Sequence, residues 1–129
     1  MSINAYEENQ ILSASPVELV RILHTAALRS VRDARDHLRA GDILSRSRAI
    51  YKTQMIVLEL ASSLDRTQSQ ELTERLLALY DYLLTRLSEA NVDQNEAPLA
   101  EVSKLLTTLQ EGWALPAVSE ETEPVLVAR

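Results

Sequence analysis

The chain has no cysteine and no phenylalanine, only two glycines and four prolines, and its aromatic residues are one tryptophan and four tyrosines among 129 residues. Without cysteine there is neither a disulfide scaffold nor a thiolate zinc site. So few glycines and prolines leave little material for the tight turns of an all-β fold. No apolar run approaches the roughly 18 residues that span a bilayer. The opening MSINAYEENQ lacks the basic flank and apolar stretch of a signal peptide. These absences predict a cytosolic, all-helical domain without membrane insertion, not secreted by the general route.

What is present is enough for one core. Hydrophobic residues make up 46% and charged residues 25%, an ordinary soluble domain of this length. The net charge of −6 is unevenly spread. Residues 1–66 hold nine Lys/Arg and eight Asp/Glu, whereas residues 67–129 hold four and eleven. Nucleic-acid binding is driven by displaced counterions and needs a basic face, so this balance argues against it.

Four helices are legible. Ser15-Pro16-Val17-Glu18 combines an N-cap hydroxyl, a proline where its missing N–H costs nothing, and a glutamate placed for a capping box. It predicts a helix from about Pro16 to Ala40, stopped by Gly41. The apolar stripe is Val20, Leu23, Ala27, Val31, Ala34 and Leu38. A second helix is expected from Ile43 to Leu64, with Ile43, Ile50, Val57, Ala61 and Leu64 inward. A polar connection, residues 65–69, offers Thr67 or Ser69 as the next cap. The third helix runs to about Ala90 on a face of Leu72, Leu76, Leu79, Tyr80, Leu83, Leu87 and Ala90, with Asn91 as C-cap. Asn95 opens the fourth, with stripe Leu99, Val102, Leu106, Leu109 and Trp113, ended by Pro116. The expected fold is an all-α antiparallel four-helix bundle over 15–115. A short helical or irregular N-terminal segment, 1–14, precedes it as a mobile cap. A disordered acidic tail, 116–129, follows.

No catalytic constellation emerges, and no cofactor or metal is expected. A di-metal carboxylate bundle needs Glu-x-x-His pairs, and neither His24 nor His37 has a glutamate three residues before it. His24 reads as a groove-edge side chain and His37 as a helix C-terminal residue near Asp33. The run His37-Leu38-Arg39-Ala40-Gly41 is faintly like a phosphotransfer histidine, but its glycine ends the helix instead of clearing space within it. No glycine-rich phosphate loop or Ser/His/Asp arrangement is present.

The informative feature is surplus apolar surface. Beyond its core stripe the second helix carries Leu44, Tyr51, Met55 and Leu58, and a further strip of Ala49, Ile56 and Leu60. The third helix adds Leu77 and Leu84 beside Tyr80. A bundle helix needs one apolar stripe, so the remainder must be covered. The bundle itself, a second copy of the chain, or an amphipathic partner segment each meets that need. Met adapts to irregular shapes, and Tyr gives apolar area with a polar tip.

Four blocks then resemble the flagellar export chaperone FliS family. They are Ala5-Tyr6 with Asn9-Gln10-Ile11; Ser13-Ala14-Ser15-Pro16-Val17-Glu18-Leu19-Val20-Arg21-Ile22-Leu23; Leu79-Tyr80-Asp81-Tyr82-Leu83-Leu84 with Arg86-Leu87 and Ala90-Asn91; and Glu101-Val102, Leu105-Leu106, Leu109 and Trp113. They fall in the family's order over about residues 5–115. His24 stands where the family often has an aromatic residue. The resemblance implies a cytosolic chaperone that binds the disordered C-terminal segment of flagellin, one-to-one. Such a chaperone prevents premature polymerisation and aids delivery to the flagellar export gate. It also leaves open a homodimer when free, or a self-associating regulator or co-chaperone that binds no flagellin. Candidate partner contacts are Tyr51, Met55, Leu58, Leu77, Tyr80 and Leu84. Tyr6 and Ile11 match the family's N-terminal segment, expected to lie on apolar surface until flagellin displaces it or, alternatively, to staple the first helix.

Overall fold

A computed structural model describes residues 15–64 and 70–114, with backbone alone at 113 and 114. It contains four helices: α1 (Pro16–Ala40), α2 (Ile43–Ser62), α3 (Gln70–Asp93) and α4 (Glu96–Ala114). The segments 1–14, 65–69 and 115–129, with Tyr6, Ile11 and the Thr67 or Ser69 cap, lie outside the described residues.

Local chemistry sets the helix ends. The Glu18 backbone N–H donates to Ser15 Oγ at 3.2 Å, and the Ser15 hydroxyl donates to the Glu18 carboxylate at 3.1 Å. Gly41 adopts the left-handed conformation at φ 74°, and its N–H and that of Asp42 return to the Leu38 and His37 carbonyls. Asp42 caps α2 by accepting from the Ser45 N–H at 3.1 Å, an N-cap residue type directly before the helix start. The second helix stops at Ser62, two residues short of the expected end. The Ser62 and Ser63 hydroxyls donate back to the Glu59 and Leu60 carbonyls there, a local alternative to continuing the ladder. Leu64 is nonetheless buried. Asn91 is not the C-cap of the third helix. That helix continues to Asp93, Gln94 takes the positive φ of 52°, and the Asn91 side chain serves α2 instead. Asn95 opens α4 by accepting from the Ala97 N–H.

Each helix packs on two neighbours, in the cyclic order α1, α2, α3, α4. Side-chain bonds show the antiparallel sense. Arg35 and Arg39 near the end of α1 meet Glu96 at the start of α4, whereas Gln110 late in α4 donates to Thr25 early in α1. The α1–α2 contact is the most extensive. Small residues on the buried face of α1, Ala26, Ala27, Ser30 and Ala34, let the two backbones approach. Ile50, Val57, Leu60, Leu83, Leu87, Leu99, Val102 and Leu106 fill the centre. Each fully buried leucine contributes roughly 1.5–3 kcal/mol.

Two expected core residues are not inside: Ile43 and Leu72 are exposed. Both sit in the first turn of their helices, at an end of the bundle where the facing helix no longer covers the stripe.

Candidate functional site

The surplus strip of α2 is left uncovered by the bundle. Leu44, Tyr51, Met55 and Leu58 lie within an arc of about 60°, at about 100° per residue. They lie on the side of α2 away from Ile50, Thr53 and Val57. Leu44 and Tyr51 are each 61% exposed and Leu58 46% exposed, while Met55 is half-buried.

This strip borders α3. Gln54 of α2 donates to the Ser88 hydroxyl of α3 at 3.0 Å, and Ser47 donates to Asn91 Oδ1 at 2.9 Å. Both donors sit on the flank of α2 next to the strip. On α3 the flank that carries Ser88 also carries Leu77 and Leu84, half-buried and packed against the core. Gln54 facing Ser88 sets the level of this antiparallel pair, so the half-buried Leu84, four residues before Ser88, lies across the α2–α3 seam from Leu58, whereas Leu77, two turns earlier on α3, lies near the C-terminal end of α2. Tyr80 is 3% exposed and lies on the core face of α3, underneath that flank. Burial pushes its phenol up to about 12.

One end of the seam is held by a buried cation. Arg46 is nearly inaccessible, and its guanidinium donates to Asn91 Oδ1 at 3.2 Å and to the Asn91 carbonyl at 3.3 Å. These bonds satisfy a carbonyl in the last turn of α3 and fix the register of the two helices. The opposite α3–α4 seam is polar. Glu101 accepts from the Tyr82 hydroxyl at 2.8 Å and from Arg86 Nε at 2.7 Å. Tyr82 foremost, then Arg86, hold its carboxyl below the usual carboxylate range.

His24 is not a groove-edge residue. It is completely buried between α1 and α4, and neither ring nitrogen has a hydrogen-bond partner of good geometry. Desolvation lowers its pKa to about 4, opposed weakly by the Leu106 backbone. The imidazole is therefore a neutral core side chain at physiological pH. Its helical position, 60° from the centre of the α1 core face, was the available signal for burial. His37 lies in the last turn of α1, where Gly41 already ends the helix. The glycine thus opens no space within a helix for a phosphoryl group. Among the described residues no group of three or more His, Cys, Asp or Glu is placed to hold a metal ion. No helix among them is long and apolar enough to cross a membrane.

Fold and surface together define an antiparallel helical bundle with an uncovered apolar strip along one seam, the form of a protein that binds another chain. Over residues 1–120 the sequence matches the family model described as flagellar protein FliS. The chain belongs to the FliS family. It is 31% identical to the flagellar secretion chaperone FliS of Bacillus subtilis, covering 92% of this chain and 88% of that one. It is 33% identical to that of Salmonella typhimurium, over 82% and 79% of the two chains. The flagellar secretion chaperone FliS of Campylobacter jejuni is 33% identical, over 88% of each. The four blocks read from the sequence thus identified the family correctly.

Proposed function

We propose that this protein is a flagellar secretion chaperone that holds the C-terminal segment of flagellin, one-to-one, on the α2–α3 seam. Holding that segment prevents premature polymerisation in the cytoplasm and aids delivery to the flagellar export gate. The observation that carries the reading is the α2 strip of exposed Leu44, Tyr51 and Leu58 with half-buried Met55, which faces Leu84 across the seam. A disordered segment that folds on binding must offset its ordering entropy with many apolar contacts. A strip with heptad-like spacing along α2 fits an amphipathic helix laid lengthwise. Tyr51, Met55 and Leu58 make the direct contacts, Leu77 and Leu84 form the other wall, and Tyr80 supports the floor. Tyr6 and Ile11 belong to a segment that covers the strip until flagellin replaces it.

The test is calorimetric titration of the full chain with the C-terminal segment of its own organism's flagellin, with circular dichroism alongside. Tight one-to-one binding with a gain of helix is expected. No binding at tens of micromolar, together with a concentration-dependent mass, would instead assign the strip to self-association. Deleting residues 1–11 is expected to leave the bundle's melting temperature nearly unchanged and to alter flagellin affinity. Unchanged affinity would sink the displacement idea.

A further inference from the structure

Away from the α2–α3 seam, a cleft of about 310 Å³ lies between α1 and α4, lined by Leu28, Arg32, Arg35, Arg39, Ser103 and Thr107, with Asp36 as its one acid. Glu96 engages two of these arginines. It accepts from Arg35 Nε at 3.2 Å and from Arg39 Nε at 2.9 Å. Arg32 is exposed and has no hydrogen bond or ion pair among the described residues. The cleft therefore offers an unpaired guanidinium, the Ser103 hydroxyl and a leucine wall, suited to an acidic peptide in extended form, while the Thr107 hydroxyl donates to the Ser103 carbonyl at 2.8 Å.

We propose that the occupant is this chain's own acidic C-terminal segment, with Glu120, Glu121 and Glu123 docked against Arg32 and its neighbours. Three observations converge on it. One wall of the cleft is α4, whose last residue is Ala114, so the segment departs about two turns beyond Thr107, on the helix that lines the site it would fill. The distance matches. From Ala114 back to Thr107 is about 10 Å of helix, and to Ser103 about 16 Å. The six residues from Ala114 to Glu120 reach roughly 20 Å when extended, enough to turn and run back along the cleft. The charges match as well, because the acidic run Glu120-Glu121-Thr122-Glu123 carries no basic residue. Exposed ion pairs are individually weak, but a short tether supplies a millimolar effective concentration. Docking of this kind is rapid, reversible and salt-sensitive. An acidic segment of another protein would compete for the same cleft, while the apolar seam across the bundle stays open. The inference involves one chain only and does not depend on the flagellin reading.

The absence of cysteine makes the test clean. In the full chain, Thr122→Cys carries a nitroxide, and paramagnetic broadening of backbone amide signals reports where it sits. At low salt the signals of Arg32, Arg35, Ser103 and Thr107 are expected to lose about half their intensity or more. They should recover near 0.5 M salt, where the screening length falls to about 4 Å, and in an Arg32→Glu variant whose circular dichroism is unchanged. Undiminished signals would mean a solvated tail and overturn the proposal. So would broadening centred on Tyr51 and Leu58, or contacts that survive both salt and Arg32→Glu.

Discussion

The hydroxyls of Ser30 and Thr53 meet 2.6 Å apart in the buried interface between α1 and α2. Ser30 Oγ also lies 3.0 Å from the Ala27 carbonyl, and Thr53 Oγ1 lies 2.8 Å from the Ala49 carbonyl. Each hydroxyl has one hydrogen, so one bridges to the other helix while its partner donates back to its own. Ser30→Ala or Thr53→Val removes the bridge but leaves the remaining hydroxyl a carbonyl acceptor. Each is expected to cost about 1 kcal/mol, and the double variant less than the sum. Urea unfolding of the four proteins checks this; additive costs would mean that the bridge carries no coupling.

His24 predicts an acid-sensitive stability. Its folded pKa is lowered to about 4 from 6.5 by burial. Above pH 6.5 it is neutral in both states and contributes no slope. Between 6.5 and about 4 the unfolded chain binds a proton that the folded chain refuses, so stability falls with pH, by about 3 kcal/mol in all. Glu96, held low chiefly by Arg39, and Glu101, held low chiefly by Tyr82, lose their contributions only as pH drops below the ordinary glutamate range. His24→Leu should therefore flatten the upper part of the curve, between pH 6.5 and 4.5, in unfolding titrations. An unchanged slope there would mean that the ring is protonated or solvated when folded.

Surface and core on the α2–α3 side should separate cleanly. Tyr51→Ala and Leu58→Ala remove exposed side chains, so stability should change by no more than about 0.5 kcal/mol. Affinity for the flagellin segment should drop about tenfold or more, as for anchors at an interface. Leu87→Ala, fully buried, should instead cost about 2–5 kcal/mol of stability. Equal flagellin affinity for wild type and both surface variants would move the site elsewhere.

Gly41 offers a test of backbone preference alone. A Cβ added there meets nothing within 4 Å, yet φ is 74°. Gly41→Ala should cost about 1 kcal/mol through the left-handed conformation and not through a clash. Gly41→Asn, which tolerates that region, should cost less. Thermal melts of the two variants check the order.

The helices were legible because their signals are local. Ser15 with Glu18, Pro16 and Gly41 act within one turn of chain, and a 3.6-residue apolar period survives any neighbour. Asp42 serves two helix ends at once, its N–H closing α1 on the His37 carbonyl and its side chain capping α2 at Ser45, so its residue type alone does not separate the stop from the next start. The Asn91 assignment failed because the amide is claimed by Arg46 and Ser47, 45 and 44 residues away in the chain. No local pattern reports such a partner. The partner-binding strip was half legible. Spacing marked Leu44, Tyr51, Met55 and Leu58 as surplus, but surplus is not exposure.

By itself the sequence determined four helices, their order, most of their core stripes and, through four spaced blocks, the family, although Ile43 and Leu72 are exposed and Ile56 and Leu60, read as surplus, are core. Those properties depend on residue type and on separations of a few positions. Only the tertiary structure decided which apolar strip stays in water, that His24 is sealed between α1 and α4, and that three arginines of α1 share a cleft with α4. Each depends on which neighbour lies across an interface. A helix repeats its faces identically whatever it packs against, so the neighbour is decided by the assembled bundle.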